Sequence, residues 1–456
     1  MDYKKICKKY EKDVVENLRK WIRIPSVYDE TTVSKDKPFG EDVHNALDFI
    51  AKLAQEKGFN VDRCDGYCTE ISFGEGKQIG IYAHADVVPV SGSWDHEPFS
   101  GDVENGLMYG RGTSDDKGPA MAAFYALCAL KDNNLIDGYQ VKLVIGGNEE
   151  RGSTCLEYYF NELKKDYPTY GFTPDGEFPL IYGEKGISNY KVECDVKYPP
   201  YIKEIHGGVV ANSVIDEAYA ILNTNRKLQE MASIYFKATG CSYEIENISD
   251  NMYKLIVHGV AAHGSTPNVG INAALVLLRF LSIYYSDVSL DVLPHYYFDG
   301  NGKNLGTYYE SELLHETTYN LGLIDYKDGK LSYVINFRYP ENVDVNKVIN
   351  KLNRLGIGKH TLLSTSEPLL MDPSSEMVKA LMEVYQEETG DYESKAMTIG
   401  GGTYAKESKN TLAFGSHFPG RDDRIHNSNE TIHISDLIDS MSIYAHAIDR
   451  LGRLCD

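Results

Sequence analysis

The hydrophobic and polar positions of the chain follow one pattern before about residue 186 and another after it. From residue 42 to about 185, stretches with apolar residues at helical spacing, such as DVHNALDFIAKLAQEKG and PAMAAFYALCALKDNN, alternate with almost continuously apolar runs, such as IGIYAHADVVPV and QVKLVIGGNEE. Apolar strands separated by helices are typical of a mostly parallel sheet with helices on both faces. We therefore predict an α/β fold for this part of the chain.

Beyond residue 186 the strands alternate between apolar and polar positions, as in ISNYKVECDVKY and KLSYVINFRYP. We predict an α+β, ferredoxin-like lid domain over residues 186–365, with a long amphipathic helix at about 212–232. A helix returns in DPSSEMVKALMEVYQEETG, with Asp372 as the expected N-cap. The predicted catalytic domain is therefore discontinuous, with its two parts at 1–185 and 366–456.

The composition and charge of the chain disfavour some classes of binding partner. The 456 residues include 67 acidic and 46 basic side chains, and the formal net charge of −21 disfavours nucleic acid, which is bound through clustered Lys and Arg. The most apolar stretches, at 121–130 and 273–285, are too short to span a bilayer, so we expect no membrane partner. Eight scattered cysteines, without a recognisable signal peptide, favour reduced thiols and a cytoplasmic protein.

Residues with metal-binding chemistry interrupt or follow the apolar runs. His84 and Asp86 lie within IGIYAHADVVPV, and four further motifs lie downstream: GRGTSDDKGP (110–119), GGNEERGS (146–153), FTPDGEFP (172–179) and RIHNSNE (424–430). Several of these motifs would lie at the carboxyl ends of parallel strands, the edge at which open α/β sheets bind ligands. A carboxylate beside a histidine is a common support for a metal ligand.

Each motif alone has a simpler interpretation. The pair of His84 and Asp86 could be a buried structural contact, and Glu149 and Glu150 could lie on an ordinary solvated turn. Adjacent carboxylates at a strand end repel each other unless they share a cation or a proton. The occurrence of all these motifs in one chain favours a metal site.

The ordered motifs HADVVP, GRGTSDDKGP, GGNEERGS, FTPDGEFP and HNSNE resemble those of the M20 metallopeptidases, across essentially the whole chain. TIGGGTYA (398–405) and NFRYP (336–340) are similar to the PepV-like dipeptidase branch of that family. The resemblance implies a site for two divalent metal ions. Asp115 would bridge both ions, with His84 and Asp175 completing one site and Glu150 and His426 completing the other.

The resemblance also implies roles around the metal ions. Glu149 would be the general acid/base, and Asp86 would orient His84. The residues alone do not distinguish Asp115 from Asp116, and only the family pattern gives the bridging role to the first of them. The family pattern further implies a cis peptide bond after the bridging aspartate.

The predicted lid domain supplies the remaining candidates. By resemblance, His263 and Asn212 would stabilise the tetrahedral oxyanion, and Arg338 would bind the C-terminal carboxylate of the substrate. A lone His or Arg in an α+β domain is more often structural, so each of these residues also has that alternative. In IGGGTY, the segment Gly401, Gly402 and Thr403 would bring backbone N–H groups close to the substrate, although a simple tight turn is an alternative.

The resemblance implies a metal-dependent dipeptidase that hydrolyses short unsubstituted peptides through a metal-bridging water activated by Glu149. Zinc is the expected metal, with manganese or cobalt as alternatives, because oxygen-rich sites select metals less strictly than thiolate sites. A deacylase of N-acyl amino acids is the alternative enzyme. An inactive binding module is disfavoured because no ligand or base is missing. The long lid domain leads us to expect a monomer.

Overall fold

The computed structural model describes residues 1–224 and 227–455. The chain forms two compact units. The first unit comprises Met1–Gly183, Leu370–Met397 and Thr403–Asp456, and the second comprises Glu184–Leu369 and Thr398–Gly402. The short segment Thr398–Gly402 therefore belongs with the second unit, whereas the sequence analysis assigned it to the catalytic domain. The division into a catalytic and a lid domain remains a prediction.

The first unit contains seven of the helices, which we number along the whole chain. They are α1 (Tyr3–Cys7), α2 (Glu11–Ile22), α3 (Glu41–Glu56), α4 (Lys117–Asp132), α5 (Thr154–Glu157), α10 (Glu376–Thr389) and α11 (Ile434–Leu454). Its strands are β1 (Asn60–Asp62), β2 (Cys68–Gly74), β3 (Lys77–His84), β4 (Asp102–Glu104), β5 (Leu107–Tyr109), β6 (Tyr139–Gly146), β7 (Tyr170–Thr173), β21 (Thr411–Ala413) and β22 (Thr431–His433). Three short strands lie where the chain passes between the units: β8 (Ile181–Glu184), β19 (Leu369–Leu370) and β20 (Met397–Ile399).

The main sheet of the first unit is parallel in its middle and antiparallel towards its edges. Its strands run in the order β1-β2-β6-β3-β7-β21-β8. β3 is parallel to both β6 and β7, and β7 is parallel to β21, whereas β1, β2 and β8 pair antiparallel with their neighbours. The predicted α/β class is confirmed. The parallel strands matter for the site because their carboxyl ends lie along one edge.

Helices cover this sheet through the apolar positions that the sequence analysis used. Helix α4 is buried along most of its length and packs with α11 against β3. Helix α3 packs against β1 and β2. In α2, the apolar residues at helical spacing are fully buried: Val14, Leu18, Trp21 and Ile22.

The second unit is an α+β unit built on one antiparallel sheet with its own hydrophobic core. Its helices are α6 (Leu228–Thr239), α7 (Ala273–Tyr285), α8 (Val292–Tyr297) and α9 (Val345–Asn353). Its strands are β9 (Gly186–Asp195), β10 (Ile202–Gly207), β11 (Glu217–Asn223), β12 (Ser242–Ser249), β13 (Met252–His258), β14 (Glu310–Ser311), β15 (His315–Glu316), β16 (Thr318–Lys327), β17 (Lys330–Tyr339) and β18 (Lys359–Ser366). The eight strands of the sheet run in the order β12-β13-β11-β10-β16-β17-β9-β18.

Two local predictions are wrong. The predicted helix at 212–232, of which residues 225 and 226 lie outside the described residues, contains strand β11 followed by the start of α6. Strand β11 forms because β10 and β13 pair with it on both sides. The expected N-cap Asp372 is also wrong, since α10 begins after Ser375, whose hydroxyl accepts from the N–H of Val378.

None of the described helices combines the length and the apolar character needed to cross a bilayer.

Candidate metal centre

The parallel strands of the first unit deliver most of the candidate residues to one edge of the sheet. His84 is the last residue of β3. Glu149 and Glu150 follow the end of β6 at Gly146, and Asp175 follows the end of β7 at Thr173. Since β3 is parallel to both neighbours, these side chains come together at the carboxyl edge, as the sequence analysis predicted.

The structure brings all five predicted metal ligands together in two groups that share Asp115. One group is His84, Asp115 and Asp175, and the other is Asp115, Glu150 and His426. Within each group, the candidate ligand atoms lie within 4.8 Å of one another.

The two carboxylate oxygens of Asp115 face different histidines. Oδ1 lies 3.0 Å from Nε2 of His84, and Oδ2 lies 2.8 Å from Nε2 of His426. Each histidine also faces a second carboxylate. Asp175 lies 3.7 Å from His84 Nε2, and Glu150 lies 3.1 Å from His426 Nε2. Asp115 is therefore a shared side chain between two equivalent sets of donors.

Asp116 has a different environment from Asp115. Asp116 lies at the N-terminus of α4. Its fully buried carboxylate accepts a hydrogen bond from the backbone N–H of His84 at 3.1 Å. Burial raises the pKa of Asp116 well above its usual range. The peptide bond between Asp115 and Asp116 is cis, so this expectation from the resemblance is confirmed.

The charged groups of the cluster strongly shift one another's pKa values. Burial alone would lower the pKa of His426, but its contacts with Asp115 and Glu150 raise it to about 11. Burial and the charge of Asp115 raise the pKa of Asp175 to about 6 and that of Glu150 to about 7. The raised pKa values mean that the ionised forms of Asp175 and Glu150 are disfavoured unless positive charge lies nearby. A divalent cation would supply that positive charge.

Glu149 lies in the field of the same cluster without belonging to either ligand group. Burial raises its pKa well above the usual range, and the charges of Asp175 and Glu150 raise it further. A glutamate with a raised pKa exchanges protons more readily near neutral pH than an ordinary exposed one.

Asp86 makes more contacts than the sequence analysis anticipated. Nδ1 of His84 lies 2.9 Å from the backbone carbonyl of Asp86 and 3.5 Å from its carboxylate. That carboxylate accepts from the backbone N–H groups of Glu149 and Glu150, at 3.0 Å and 3.1 Å. Asp86 therefore contacts the histidine and also fixes the turn that carries both glutamates.

Glu430, the last residue of RIHNSNE, supports the site although its motif did not predict a role for it. Glu430 is fully buried, and its carboxylate accepts from the backbone N–H groups of Gly112, Ser114 and Asp115. It also pairs with Arg111 at 2.6 Å. Glu430 therefore holds the loop that ends at the shared ligand Asp115. The available signal was an acidic residue directly before Thr431 and Ile432, two β-branched residues that favour a strand, because a carboxylate at the start of a buried strand needs partners.

The candidates of the second unit form their own cluster. Asn212 and His263 lie on adjacent, exposed segments, joined by a hydrogen bond from the N–H of Gly264 to the carbonyl of Asn212. Arg338 is 3% exposed on β17, and its Nη1 donates to the carbonyl of Gly400 at 3.1 Å. Among the described residues, no carboxylate lies within ion-pair distance of Arg338. Burial lowers its pKa to about 10.

The glycine-rich segment is divided between the units. Gly401 and Gly402 belong to the second unit, in which a side chain at the preceding Gly400 would come within 2.7 Å of Ser265. Thr403 belongs to the first unit, where its hydroxyl accepts from the N–H of Ala405 and begins a helical turn. Close packing thus accounts for the glycine at 400, and turn formation for Thr403.

Comparison with known proteins identifies the family. The sequence profile of "Peptidase family M20/M25/M40" matches residues 80–450. The chain belongs to this peptidase family. The family resemblance drawn from the motifs is therefore confirmed, and this M20 chain is a hydrolytic enzyme.

Individual relatives match over almost the full length of this M20 peptidase. A Bacillus subtilis (strain 168) protein named "Putative dipeptidase YtjP" is 34% identical over 467 residues, covering 97% of this chain and 98% of its own. Two solved structures share the fold, each with a TM-score of 0.60. One is the di-peptidase Dug1p from Saccharomyces cerevisiae, at 16% identity over 99% of this chain and 98% of its own. The other is the M20 family metallo-carboxypeptidase Sso-CP2 from Sulfolobus solfataricus, at 18% identity over 96% and 99%.

The contacts of Glu430 give a stability prediction. We expect Glu430→Ala to lower the free energy of unfolding by about 3–5 kcal/mol, because it leaves the buried guanidinium of Arg111 without its partner. Chemical denaturation with matched m-values measures this change. Lys330→Ala, which breaks an exposed ion pair with Asp195, is the control and should leave stability unchanged. An equally small effect of both substitutions would show that Glu430 does not hold the loop.

Proposed function

We propose that this M20 peptidase is a metal-dependent dipeptidase that hydrolyses short, unsubstituted peptides. The observation that carries the proposal is the position of Asp115, whose two oxygens each face a separate pair of one histidine and one carboxylate. Relatives named as dipeptidases, matched over nearly the whole chain, support the choice of substrate.

The donor set fits two divalent cations. Each group offers one imidazole nitrogen and two carboxylates, with Asp115 in common, and these are ligands that zinc, manganese and cobalt accept. Nε2 of His84 is buried and makes no well-aligned hydrogen bond within the described residues, as expected for a nitrogen that binds a cation. Zinc is the metal that we propose, with manganese or cobalt as alternatives.

The proposed chemistry divides between the metal ions and the protein. When bound, two ions lower the pKa of an attacking water and polarise the scissile carbonyl. Glu149 takes the proton from the attacking water and delivers it to the leaving amine. Its raised pKa suits both steps, because the carboxyl group can hold the proton between them. Asp86 keeps Glu149 in place by accepting its backbone N–H.

We assign substrate recognition to the second unit. Arg338 is a buried guanidinium without a carboxylate partner among the described residues, so the C-terminal carboxylate of a peptide is a suitable partner. Asn212 and His263 supply N–H donors for the oxyanion of the tetrahedral intermediate. We assign backbone contacts with the substrate to Gly401, Gly402 and Thr403.

We further propose a cytoplasmic monomer. No disulfide joins cysteines among the described residues, and seven of the eight cysteines are buried, as is typical of proteins in a reducing compartment. The second unit is long enough to provide the substrate-binding residues from the same chain.

The first prediction of the proposed function separates the base from the metal ligands. We expect purified enzyme with added zinc or manganese to hydrolyse members of a dipeptide panel and to lose this activity in chelator. Glu149→Ala should lower kcat by at least about 10²-fold, because general base catalysis contributes about that much or more, while metal content stays at the wild-type value. Amine release and elemental analysis measure the two quantities. Full activity of Glu149→Ala would exclude Glu149 as the base.

The same assay distinguishes the alternative enzyme. An M20 deacylase would release acyl groups from N-acyl amino acids and leave free dipeptides intact. That outcome would replace the dipeptidase proposal while leaving the metal assignment unchanged.

The second prediction concerns the shared ligand. We expect His84→Ala and His426→Ala each to lose about one metal ion per chain, and Asp115→Ala to lose both, because only Asp115 contributes to both groups. Elemental analysis after gel filtration measures the stoichiometry. His446→Ala is the matched control, since this histidine contacts Glu388 on α10 rather than the cluster. Retention of two ions by Asp115→Ala would contradict the assignment.

The third prediction concerns the substrate carboxylate. We expect Arg338→Ala to raise KM for a free dipeptide by about 10- to 100-fold, the value of a hydrogen bond to a charged group. The same substitution should have little effect on the C-terminal amide of that dipeptide, which has no carboxylate. The ratio of kcat/KM for the two substrates measures this preference. An unchanged ratio would show that another group binds the carboxylate.

A further inference from the structure

We propose that Asn320 and Asn336, on neighbouring strands of the second unit, are positioning residues for substrate binding and catalysis. Asn320 holds the turn that carries Asn212, and Asn336 holds the guanidinium of Arg338. This inference rests on the proposed function, in which Asn212 and Arg338 contact the substrate. Neither Asn320 nor Asn336 has any role in the chemistry itself.

Asn320 lies on β16 and binds the backbone on both sides of Asn212. Its Nδ2 donates to the carbonyl of Ala211 at 2.9 Å and to the carbonyl of Ser213 at 2.8 Å. The amide NH₂ group has two N–H donors and satisfies both carbonyl acceptors at once, whereas an Asp carboxylate or a Leu side chain offers no N–H donor in its place. The side chain is 1% exposed, and these two bonds therefore form in an environment from which water is largely excluded.

The strand itself is shaped to receive this turn. The register between β16 and β17 shifts between Leu321 and Leu323, so Gly322 is an extra residue in β16. A Cβ at Gly322 would lie 2.2 Å from the carbonyl oxygen of Ala211. Only glycine therefore allows the turn to approach the strand closely enough for Asn320 to reach both carbonyls.

The turn held by Asn320 also determines where His263 lies. The N–H of Gly264 donates to the carbonyl of Asn212 at 2.7 Å, and the N–H of Val214 donates to the carbonyl of Ala262 at 2.9 Å. The segments around Asn212 and His263 thus pair like two short strands. A displacement of the first segment would move both proposed oxyanion donors together.

Asn336 acts on Arg338 in a comparable way. Its Oδ1 accepts from Nε of Arg338 at 2.7 Å, while its Nδ2 donates to Oδ1 of Asn189 at 2.8 Å. The carbonyl of Gly400 accepts from Nη1. The guanidinium is therefore held through Nε and Nη1. Within the part of the chain that the structure describes, no hydrogen bond occupies Nη2, which is therefore available for a carboxylate.

The two asparagines are directly opposite each other in the sheet. Asn320 pairs with Asn336 in the antiparallel register of β16 and β17. Both are almost completely buried. Each uses its side-chain amide to hold a residue that, under the proposed function, contacts the substrate. One rigid pair of strands thus positions the oxyanion donors and the carboxylate-binding arginine, and sites supported by strands are more precise than sites supported by loops alone.

Substitutions at the two positions should change different kinetic parameters. We expect Asn336→Leu to raise KM for a free dipeptide about tenfold or more, with kcat within about twofold, and to have little effect on its C-terminal amide. We expect Asn320→Leu to lower kcat for both substrates by about 10- to 100-fold, because small misplacements of catalytic donors cost that much, and to leave the preference for the free carboxylate intact. Steady-state kinetics on the metal-replete, full-length enzyme measure both effects.

Double variants test whether each asparagine acts through its assigned partner. Asn336→Leu should add no further loss in an Arg338→Ala background. Asn320→Leu should add little in an Asn212→Ala/His263→Ala background, because the turn that Asn320 holds positions both of these donors. Asn353→Leu is the matched control, because this asparagine bonds the backbone of His360 in the same unit and should change neither parameter. If Asn320→Leu does not fold, Asn320→Ala, which adds no bulk, replaces it in the same comparisons.

The outcomes separate this inference from the proposed function. Wild-type enzyme without dipeptidase activity would overturn the proposed function. An Arg338→Ala variant that loses the preference for the carboxylate, together with an Asn336→Leu variant that retains it, would overturn only the positioning role of Asn336. Fully additive losses in the double variants would likewise overturn the inference, since they would show that the asparagines act on stability in general.

Discussion

Repulsion among three carboxylates is the constraint on which the first unit depends. Asp115, Glu150 and Asp175 lie around two imidazoles at one edge of the sheet, where burial and the charge of Asp115 raise the pKa of Glu150 and Asp175. This repulsion destabilises the folded chain, and a bound divalent cation would offset it by supplying positive charge. The parallel order of β3, β6 and β7 is what brings the residues to the same edge.

Holding mutually repelling side chains in place requires rigid supports behind them. Asp86 accepts from the N–H groups of Glu149 and Glu150, and Glu430 accepts from three N–H groups of the loop that ends at Asp115. Both supports are themselves buried carboxylates, which are stable only when fully hydrogen-bonded. The backbone donors meet that requirement, and in doing so they fix the two irregular segments that carry proposed catalytic groups.

Much of the fold and of the metal centre could be predicted from the sequence, because both leave strong local signals. Apolar runs that end in His84 or are followed by Glu149 reveal buried strands and the edge where they meet. The prediction of a helix at 212–232 is wrong because the hydrophobic pattern of Glu217–Asn223 is compatible with both a helix and a strand. Only the pairing of this segment with β10 and β13 makes it a strand. The prediction of Asp372 as the N-cap is wrong because both Asp372 and Ser375 are suitable N-cap residues. Ser375 caps the helix, and the carboxylate of Asp372 accepts from the N–H of Ser374 in the preceding turn.

Residues that position other residues left no comparable signal. Glu430 and Asn320 bind backbone atoms of distant segments, and Asn336 joins Arg338 on its own strand to Asn189 on the neighbouring one. Their roles therefore depend on register and on close approaches such as that of Gly322 to Ala211. An asparagine in a strand pattern looks merely unfavourable until its partners are known. The residues to which we assign the chemistry can therefore be recognised by their type and order, whereas Asn320 and Asn336, which hold two of them in place, are recognisable only in three dimensions.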